Sequence, residues 1–198
     1  MNLIKHRVNS VEELSNLSKD MGAEIDLRSH INGEIYLAHD ANQNGPLLKD
    51  WLEEFKHKTL VINVKEDGLE DIVIEILESM GIMDYFFLDQ PFPTLLKCLR
   101  KGISCAVRIS EYEVIPNKLN EHIKWIWLDS FTGDWGHLPR AAEFADLIGA
   151  ELCLVSPELQ GRDFIDEIVS IHRSLKQSLH HTNFSVCTKY PEIWNRSE

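Results

Sequence analysis

Five residues near the start of the sequence have types and spacings that suit the cleavage of phosphate esters. His6 and Arg7 follow the first apolar segment, and His39 follows a later one. Glu24 and Asp26 are two residues apart in a segment between them, so they project to one side of a strand and can reach one divalent cation together. Two histidines can supply a base and an acid near neutral pH.

Other polar residues stand at the ends of later predicted strands. Cleavage of a phosphodiester also requires positive charge at the phosphate, because stabilisation of the charge dominates the barrier. Arg7 and Lys65, together with Mg²⁺ or Ca²⁺ on the two carboxylates, could supply that charge. Each candidate taken singly is more often a solvated charge or a helix cap, so the hypothesis rests on their combination. The remaining candidates are Asn63, which shares a side with Lys65, and Asp89, Arg108, Asp129 and Glu158.

Short apolar strands and amphipathic helices alternate along the chain and would bring these candidates to one rim. A capping box at Ser10 and Glu13 predicts a first helix that runs through Met21. Later helices are predicted over residues 67–80, 94–101 and 138–148, each followed by a glycine that fits the left-handed position past a helix end. The predicted strands begin near Leu3, Ala23, Leu60, Tyr85, Ser104, Trp125, Leu152 and Phe184.

This alternation favours an α/β protein, and specifically a compact (β/α)8 TIM-type barrel in which residues 1–198 form a single domain. Asn32-Gly33 adds a hairpin turn between the second strand and residues 34–38. An open doubly wound sheet is the alternative architecture. No GxGxxG motif follows the first strand, so dinucleotide binding lacks support.

The composition limits the partners that the chain can attract. Its net charge of −12 disfavours nucleic acid and anionic membrane surfaces, so a phosphorylated small molecule must be held by a local cationic site. No apolar run reaches the length of a membrane span, about 18 residues or more. The first six residues lack the apolar core of a signal peptide, which favours a cytoplasmic location.

The cysteines and the remaining histidines are assigned no chemistry. None of the cysteines forms a CxxC pair or a zinc-binding spacing, and their apolar contexts indicate core residues in a reducing compartment. These are Cys98, Cys105, Cys153 and Cys187. The other histidines are expected in helices or loops: His30, His57, His122, His137, His172, His180 and His181.

Together, His6-Arg7, residues 22–27 and residues 32–40 resemble the opening of the glycerophosphodiester phosphodiesterases, within the phospholipase-C-like phosphodiesterase superfamily. Residues 60–65 resemble the family's third strand, which usually ends Glu-x-Lys, and the specific match covers the first 65 residues. The resemblance implies a TIM-type barrel that hydrolyses a glycerophosphodiester or a related polyol phosphate. The attacking group in the family is often a neighbouring substrate hydroxyl, which gives a cyclic phosphate.

The resemblance also implies roles for individual residues. His6 and His39 would be the acid–base pair, and Arg7 and Lys65 would bind the phosphate. Glu24 and Asp26 would be metal ligands, with Asn63 at the position of a third ligand that is usually acidic. An amide oxygen coordinates Mg²⁺ or Ca²⁺ without contributing charge, so weaker metal binding is expected.

Two further departures from the family pattern affect the expected pocket. Val8 replaces the glycine that follows His-Arg in the family, and no inserted subdomain follows His39-Asp40, where residues 41–46 lead directly to the next helix. Three readings therefore stay open: a phosphodiesterase, a non-catalytic barrel that binds a phosphorylated ligand, and a metal-assisted lyase. The two histidines favour the first, because a binding module needs no acid and base.

Overall fold

The predicted alternation of strands and helices is present in the computed structural model of the protein, which describes residues 1–116, 118, 122–163, 165–179 and 184–196. His180 and His181 lie outside these described residues. The strands are β1 (Asn2–Lys5), β2 (Gly22–Ser29), β3 (Ile35–Leu37), β4 (Leu60–Val64), β5 (Tyr85–Leu88), β6 (Ala106–Ile109), β7 (Trp125–Leu128), β8 (Glu151–Val155) and β9 (Phe184–Thr188). The helices are α1 (Val11–Asn16), α2 (Leu48–Glu54), α3 (Glu70–Ser79), α4 (Phe92–Arg100), α5 (Leu138–Ile148), α6 (Ile165–Ser178) and α7 (Pro191–Arg196).

These strands form one sheet in the order β5-β4-β2-β1-β9-β8-β7-β6, with β3 paired to β2 outside this path. Parallel strands joined by helices are the pattern of a (β/α)8 barrel, so the compact TIM-type fold is confirmed. The chain divides into two compact units: an N-terminal unit of residues 5–103, and a C-terminal unit of residues 1–4 and 104–198. The single domain expected over residues 1–198 stays a prediction.

The N-terminal unit contains the strand that carries the acidic pair. β2 runs parallel to β4, and Asp26 is in register with Asn63. Ile25 and Leu27 are fully buried and alternate with the acidic residues, so the two sides of the strand have different surroundings. β3 runs antiparallel to β2 after a turn in which Gly33 has a φ of 86°, which confirms the predicted hairpin.

The C-terminal unit contains the parallel pairings from β6 to β9. Helix α5 has the predicted bounds and ends at Gly149, whose φ of 69° is left-handed. Trp194 of α7 is fully buried, and its Nε1–H donates to Ser156 Oγ over 2.8 Å. This hydrogen bond attaches α7 to the residue that follows β8.

Several helix ends differ from the prediction. Helix α1 ends at Asn16 instead of Met21, because Leu17 is extended and Ser18 forms a local hydrogen bond with Asp20. Helix α3 begins at Glu70 instead of residue 67, where the Asp67 carboxylate accepts a hydrogen bond from Thr94. No helix in the described part of the chain has the length and apolar character of a membrane span.

Candidate active site

The Glu24 and Asp26 carboxylates are buried side by side on β2, each with 1% of the side chain exposed. The backbone N–H of Arg7 donates to Glu24 Oε2 over 2.7 Å, and His6 Nε2 lies 3.8 Å from the same oxygen. Burial and the neighbouring Asp26 charge raise the pKa of Glu24 to about 8, although Arg7 and Lys65 oppose the shift. Two buried carboxylates on one side of a strand disfavour each other's ionised form, and a bound cation would relieve this repulsion.

Two cationic side chains approach Asp26. Lys65 Nζ lies 3.0 Å from Oδ1, and Arg7 Nε lies 3.6 Å from Oδ2. The side-chain amide of Asn9 completes the arrangement. Its Nδ2 donates to Asp26 Oδ2 over 2.8 Å, and its Oδ1 accepts from the Asp26 N–H over 2.9 Å. The structure therefore brings His6, Arg7 and Lys65 together around the acidic pair.

The oxygen atoms at this position fit a hard divalent cation. Glu24 Oε1 and Asn63 Oδ1 are buried and have no hydrogen-bond partner among the described residues. Asp26 Oδ1 accepts no well-formed hydrogen bond, although the Lys65 ammonium is its ion-pair neighbour. Oxygens from carboxylates and amides are the ligands that Mg²⁺ and Ca²⁺ prefer. Since the described residues contain no cluster of three or more acidic, histidine or cysteine ligands, such a site depends on Asn63.

Arg7 has a left-handed backbone with a φ of 60°, which is uncommon for a residue with a side chain. This conformation accompanies the hydrogen bond from its N–H to Glu24. Val8 is buried, and its N–H donates to the Glu24 carbonyl over 2.8 Å. The left-handed position is Arg7 and not Val8, so a valine is accommodated where the family has glycine.

His39 lies just after β3 and has 34% of its side chain exposed. Its Nδ1 lies 2.7 Å from Asp40 Oδ1, and this hydrogen bond lowers the pKa of the Asp40 carboxyl. Gln43 donates to the other Asp40 oxygen over 2.9 Å. His39 lines a cleft of about 430 Å³ together with Arg7 and Asn9.

The loop on one side of this cleft, residues 40–46, is held against β3 by a close approach of the backbone. A Cβ atom at Gly45 would lie 1.7 Å from the Leu37 carbonyl oxygen, so only glycine fits there. The Leu37 N–H donates to the Pro46 carbonyl over 3.0 Å. These backbone contacts therefore hold the end of the loop, at Gly45 and Pro46, against Leu37.

Two polar residues of the site were not predicted from the sequence. Arg28 donates from Nη2 to the His39 carbonyl over 2.9 Å. It continues the series Glu24, Asp26, Arg28 on one side of β2, one step of two residues beyond the predicted acidic pair. Asn9 lies in the loop after β1, where the sequence carries no periodic signal.

The candidates in the C-terminal unit have partners there. Arg108 forms an ion pair with buried Asp129, which also accepts from Gln160 over 3.0 Å. Glu158 is buried and accepts from the Thr188 hydroxyl over 2.5 Å and from the Lys189 N–H over 2.9 Å. A phosphate-binding role for Arg108 stays a prediction, as do roles for Asp129 and Glu158.

Asp89, the remaining candidate, belongs to the N-terminal unit. It follows β5 and has a left-handed φ of 59°. A positive φ is uncommon for a residue with a side chain, so the backbone at Asp89 is a notable local feature. Its functional role also stays a prediction.

Comparison with known proteins gives a result at the level of the fold. No sequence description of a protein family matches the chain, and neither does any curated protein sequence. A glycerophosphodiester phosphodiesterase from Agrobacterium tumefaciens superposes with a TM-score of 0.68, 14% identity and 99% coverage of both chains. The chain has the fold of the glycerophosphodiester phosphodiesterases.

A second solved structure of the same kind agrees. A glycerophosphoryl diester phosphodiesterase from Parabacteroides distasonis has a TM-score of 0.69 and 11% identity, over 99% of this chain and 85% of that one. The identity with both glycerophosphodiester phosphodiesterases is low, so the similarity concerns the course of the backbone.

Proposed function

We propose that this protein is a cytoplasmic phosphoric diester hydrolase that acts on a glycerophosphodiester or a related polyol phosphate. The observation that carries the proposal is the buried Glu24–Asp26 pair, with His6, Arg7 and Lys65 around it. Glu24 Oε1 of this pair and Asn63 Oδ1 beside it are buried without a hydrogen-bond partner among the described residues, which is consistent with a site that binds a ligand. Two glycerophosphodiester phosphodiesterases with the same fold support the reaction class.

In this proposal His6 and His39 transfer the protons. One takes the proton of the attacking hydroxyl, and the other gives a proton to the leaving oxygen. Asp40 lies at hydrogen-bond distance from His39 Nδ1, which favours a proton on that nitrogen and leaves Nε2 to exchange protons with the substrate. Asp40 thereby fixes the orientation of the ring.

The cationic groups hold the phosphate. Arg7 lines the cleft and also faces Asp26, so its guanidinium can bind a phosphate oxygen while it remains close to the acidic pair. Lys65, the residue after β4, adds a second positive charge. A Mg²⁺ or Ca²⁺ ion held by Glu24, Asp26 and Asn63 would supply further positive charge to the phosphate.

The test is hydrolysis of bis(p-nitrophenyl) phosphate and of a panel of natural glycerophosphodiesters, each with Mg²⁺, Ca²⁺ or EDTA. His6→Ala and His39→Ala should each lower kcat about 10²- to 10⁴-fold, the range for loss of a general acid or base. His57→Gln is the matched control, because the His57 ring bonds the Leu17 carbonyl away from the acidic pair. Absence of turnover in every condition, or full activity in both alanine variants, would overturn the proposal.

A role in binding a phosphorylated ligand without turnover is the second candidate. The Lys65 ammonium already lies 3.0 Å from Asp26, and an internal cation of this kind can replace part of the charge of a metal ion. This candidate predicts that glycerol phosphate binds in calorimetry while no diester is hydrolysed. Lys65→Met should then abolish binding.

A further inference from the structure

Arg28 connects three chain segments of the N-terminal unit. It lies on β2, two residues after Asp26, and only 15% of its side chain is exposed. Its Nη2 donates to the His39 carbonyl over 2.9 Å. Its Nη1 lies 3.5 Å from Oε1 of Glu66, which follows β4 by two residues. The planar guanidinium thus reaches two neighbouring segments from a third.

The Glu66 end of this connection is itself fixed. Glu66 Oε2 accepts from the Ser29 hydroxyl over 2.6 Å and from the Ser29 N–H over 3.1 Å. Lys65, the residue before Glu66, donates its N–H to the Leu27 carbonyl over 3.0 Å. Because Glu66 is adjacent to Lys65, the same contacts restrain the backbone that carries the proposed phosphate-binding lysine.

The His39 end has less support from other parts of the chain. Residues 40–44 are exposed, and the His39 ring bonds the exposed Asp40. The backbone before His39 is held by the Ala38 N–H, which donates to the Asp26 carbonyl over 3.0 Å. The bond from Arg28 is the next contact along the chain, at the residue whose ring is proposed to transfer a proton.

We infer that Arg28 is a positioning residue, which holds the backbone of His39 in register with the Lys65–Glu66 segment. This inference rests on the proposed function, since it concerns the geometry of that site. Arg28 touches no reacting group. It acts through the His39 carbonyl, and a displacement of about 1 Å at a catalytic group can cost on the order of 10²-fold in rate.

The decisive variant is Arg28→Lys, which keeps the positive charge but cannot make both contacts of the planar fork. With a diester that the native protein hydrolyses, kcat should fall about 10- to 100-fold while KM changes less than about 3-fold. A merely structural role would lower the melting temperature and leave the kcat of the folded fraction unchanged. Arg28→Met is the second variant, in which both contacts are lost.

Hydrogen–deuterium exchange tests the positioning role of Arg28 without a need for turnover of a substrate. Arg28→Lys should speed exchange in residues 38–44 at least several-fold and leave residues 129–136 unchanged. Arg162→Lys is the matched control, because Arg162 binds the Ser130 carbonyl and Glu167 in the C-terminal unit. It should speed exchange in residues 129–136 and leave residues 38–44 unchanged.

The two proposals can fail separately. If the native protein hydrolyses no diester, the proposed function fails, while faster exchange in residues 38–44 of Arg28→Lys still supports the positioning contact. If the native protein is active but Arg28→Lys retains its kcat and its exchange pattern, the positioning role is overturned. Equal changes in kcat for Arg28→Lys and Arg162→Lys would also overturn it.

Discussion

Both units of the molecule bury acidic side chains after or within parallel strands, but they satisfy them in different ways. In the C-terminal unit, Glu158 accepts three hydrogen bonds, from Ser156, Thr188 and Lys189. In the N-terminal unit, one Glu24 oxygen has no hydrogen-bond partner among the described residues.

The difference separates two uses of a buried carboxylate. A buried polar group that is fully bonded to the protein ties chain segments together, and its loss is costly to folding. A buried oxygen without a protein partner is available to a ligand. By this criterion, we expect Glu158 to act mainly in folding and Glu24 to act mainly in ligand binding. Variants of Glu24 and Glu158 test this contrast directly, and variants of Asn63 and Glu111 sharpen it within each unit.

Glu24→Gln should separate activity from stability. We expect kcat/KM for a diester to fall about 10³-fold, since a bound cation would lose one of its two carboxylate ligands. In the absence of divalent metal, the melting temperature should stay within about 2 °C, because burial raises the pKa of Glu24 to about 8 and the glutamine resembles the protonated form. Steady-state kinetics and thermal melting check the two expectations. A large drop in melting temperature would remove the contrast with Glu158.

Glu158→Gln should show the opposite pattern. The amide cannot accept all the hydrogen bonds of the carboxylate, so the free energy of unfolding should fall by about 1–3 kcal/mol. The folded protein should keep most of its activity. Urea unfolding and kinetics on the same preparation test this, and unchanged stability would contradict the structural role.

Asn63→Asp should sharpen the assignment of the cation site. It adds one carboxylate without a change in size, so Mg²⁺ should bind about 10-fold more tightly. Without metal, the variant should melt at a lower temperature than the native protein, because three carboxylates then repel one another. Calorimetry of Mg²⁺ binding measures the first effect, with Asn63→Ala as the variant that should weaken binding. Equal affinity in all three proteins would exclude Asn63 as a ligand.

Glu111 provides a small pH-dependent effect in the C-terminal unit. Burial alone would raise the pKa of Glu111, but hydrogen bonds from Thr132 and Phe131 outweigh it and lower the pKa to about 2. The charged form is therefore favoured by folding. The contribution of the Glu111 carboxylate to the free energy of unfolding is present above pH 4.5 and is lost as the pH falls toward 2.

Glu111→Gln should abolish that dependence. The test is hydrogen exchange in residues 130–134 between pH 5 and pH 3, compared with the native protein. Exchange in the native loop, corrected for the intrinsic rate, should rise as the pH falls, whereas the variant should show a constant protection. If protection in residues 130–134 fell equally with pH in both proteins, the pH dependence would belong to other acidic groups.

The parts of the structure that follow local rules were predictable from the sequence. The strands begin where apolar runs begin, and α5 ends at Gly149 because glycine accepts a left-handed backbone. Glu24 and Asp26 face one side of β2 because they are two residues apart. The end of α1 was wrong because the Ser18–Asp20 hydrogen bond competes with the helix.

Contacts between distant segments were not predictable in the same way. The bond from Arg28 to the His39 carbonyl joins residues 11 apart across a hairpin, and the Arg108–Asp129 pair joins residues 21 apart. Periodicity reports which side of a strand a residue occupies, and it contains no information on which partner lies opposite. The role of Asn9 was missed for the same reason.

The left-handed backbone of Arg7 has a consequence for the engineering of this chain. A glycine would accept the same φ of 60° without steric cost, but it would remove the guanidinium that faces Asp26 and the cleft. The chain thus tolerates local strain at the residue where a positive charge is useful. Selection for thermal stability alone would tend to replace Arg7, so a stabilised variant should be screened for activity at this position first.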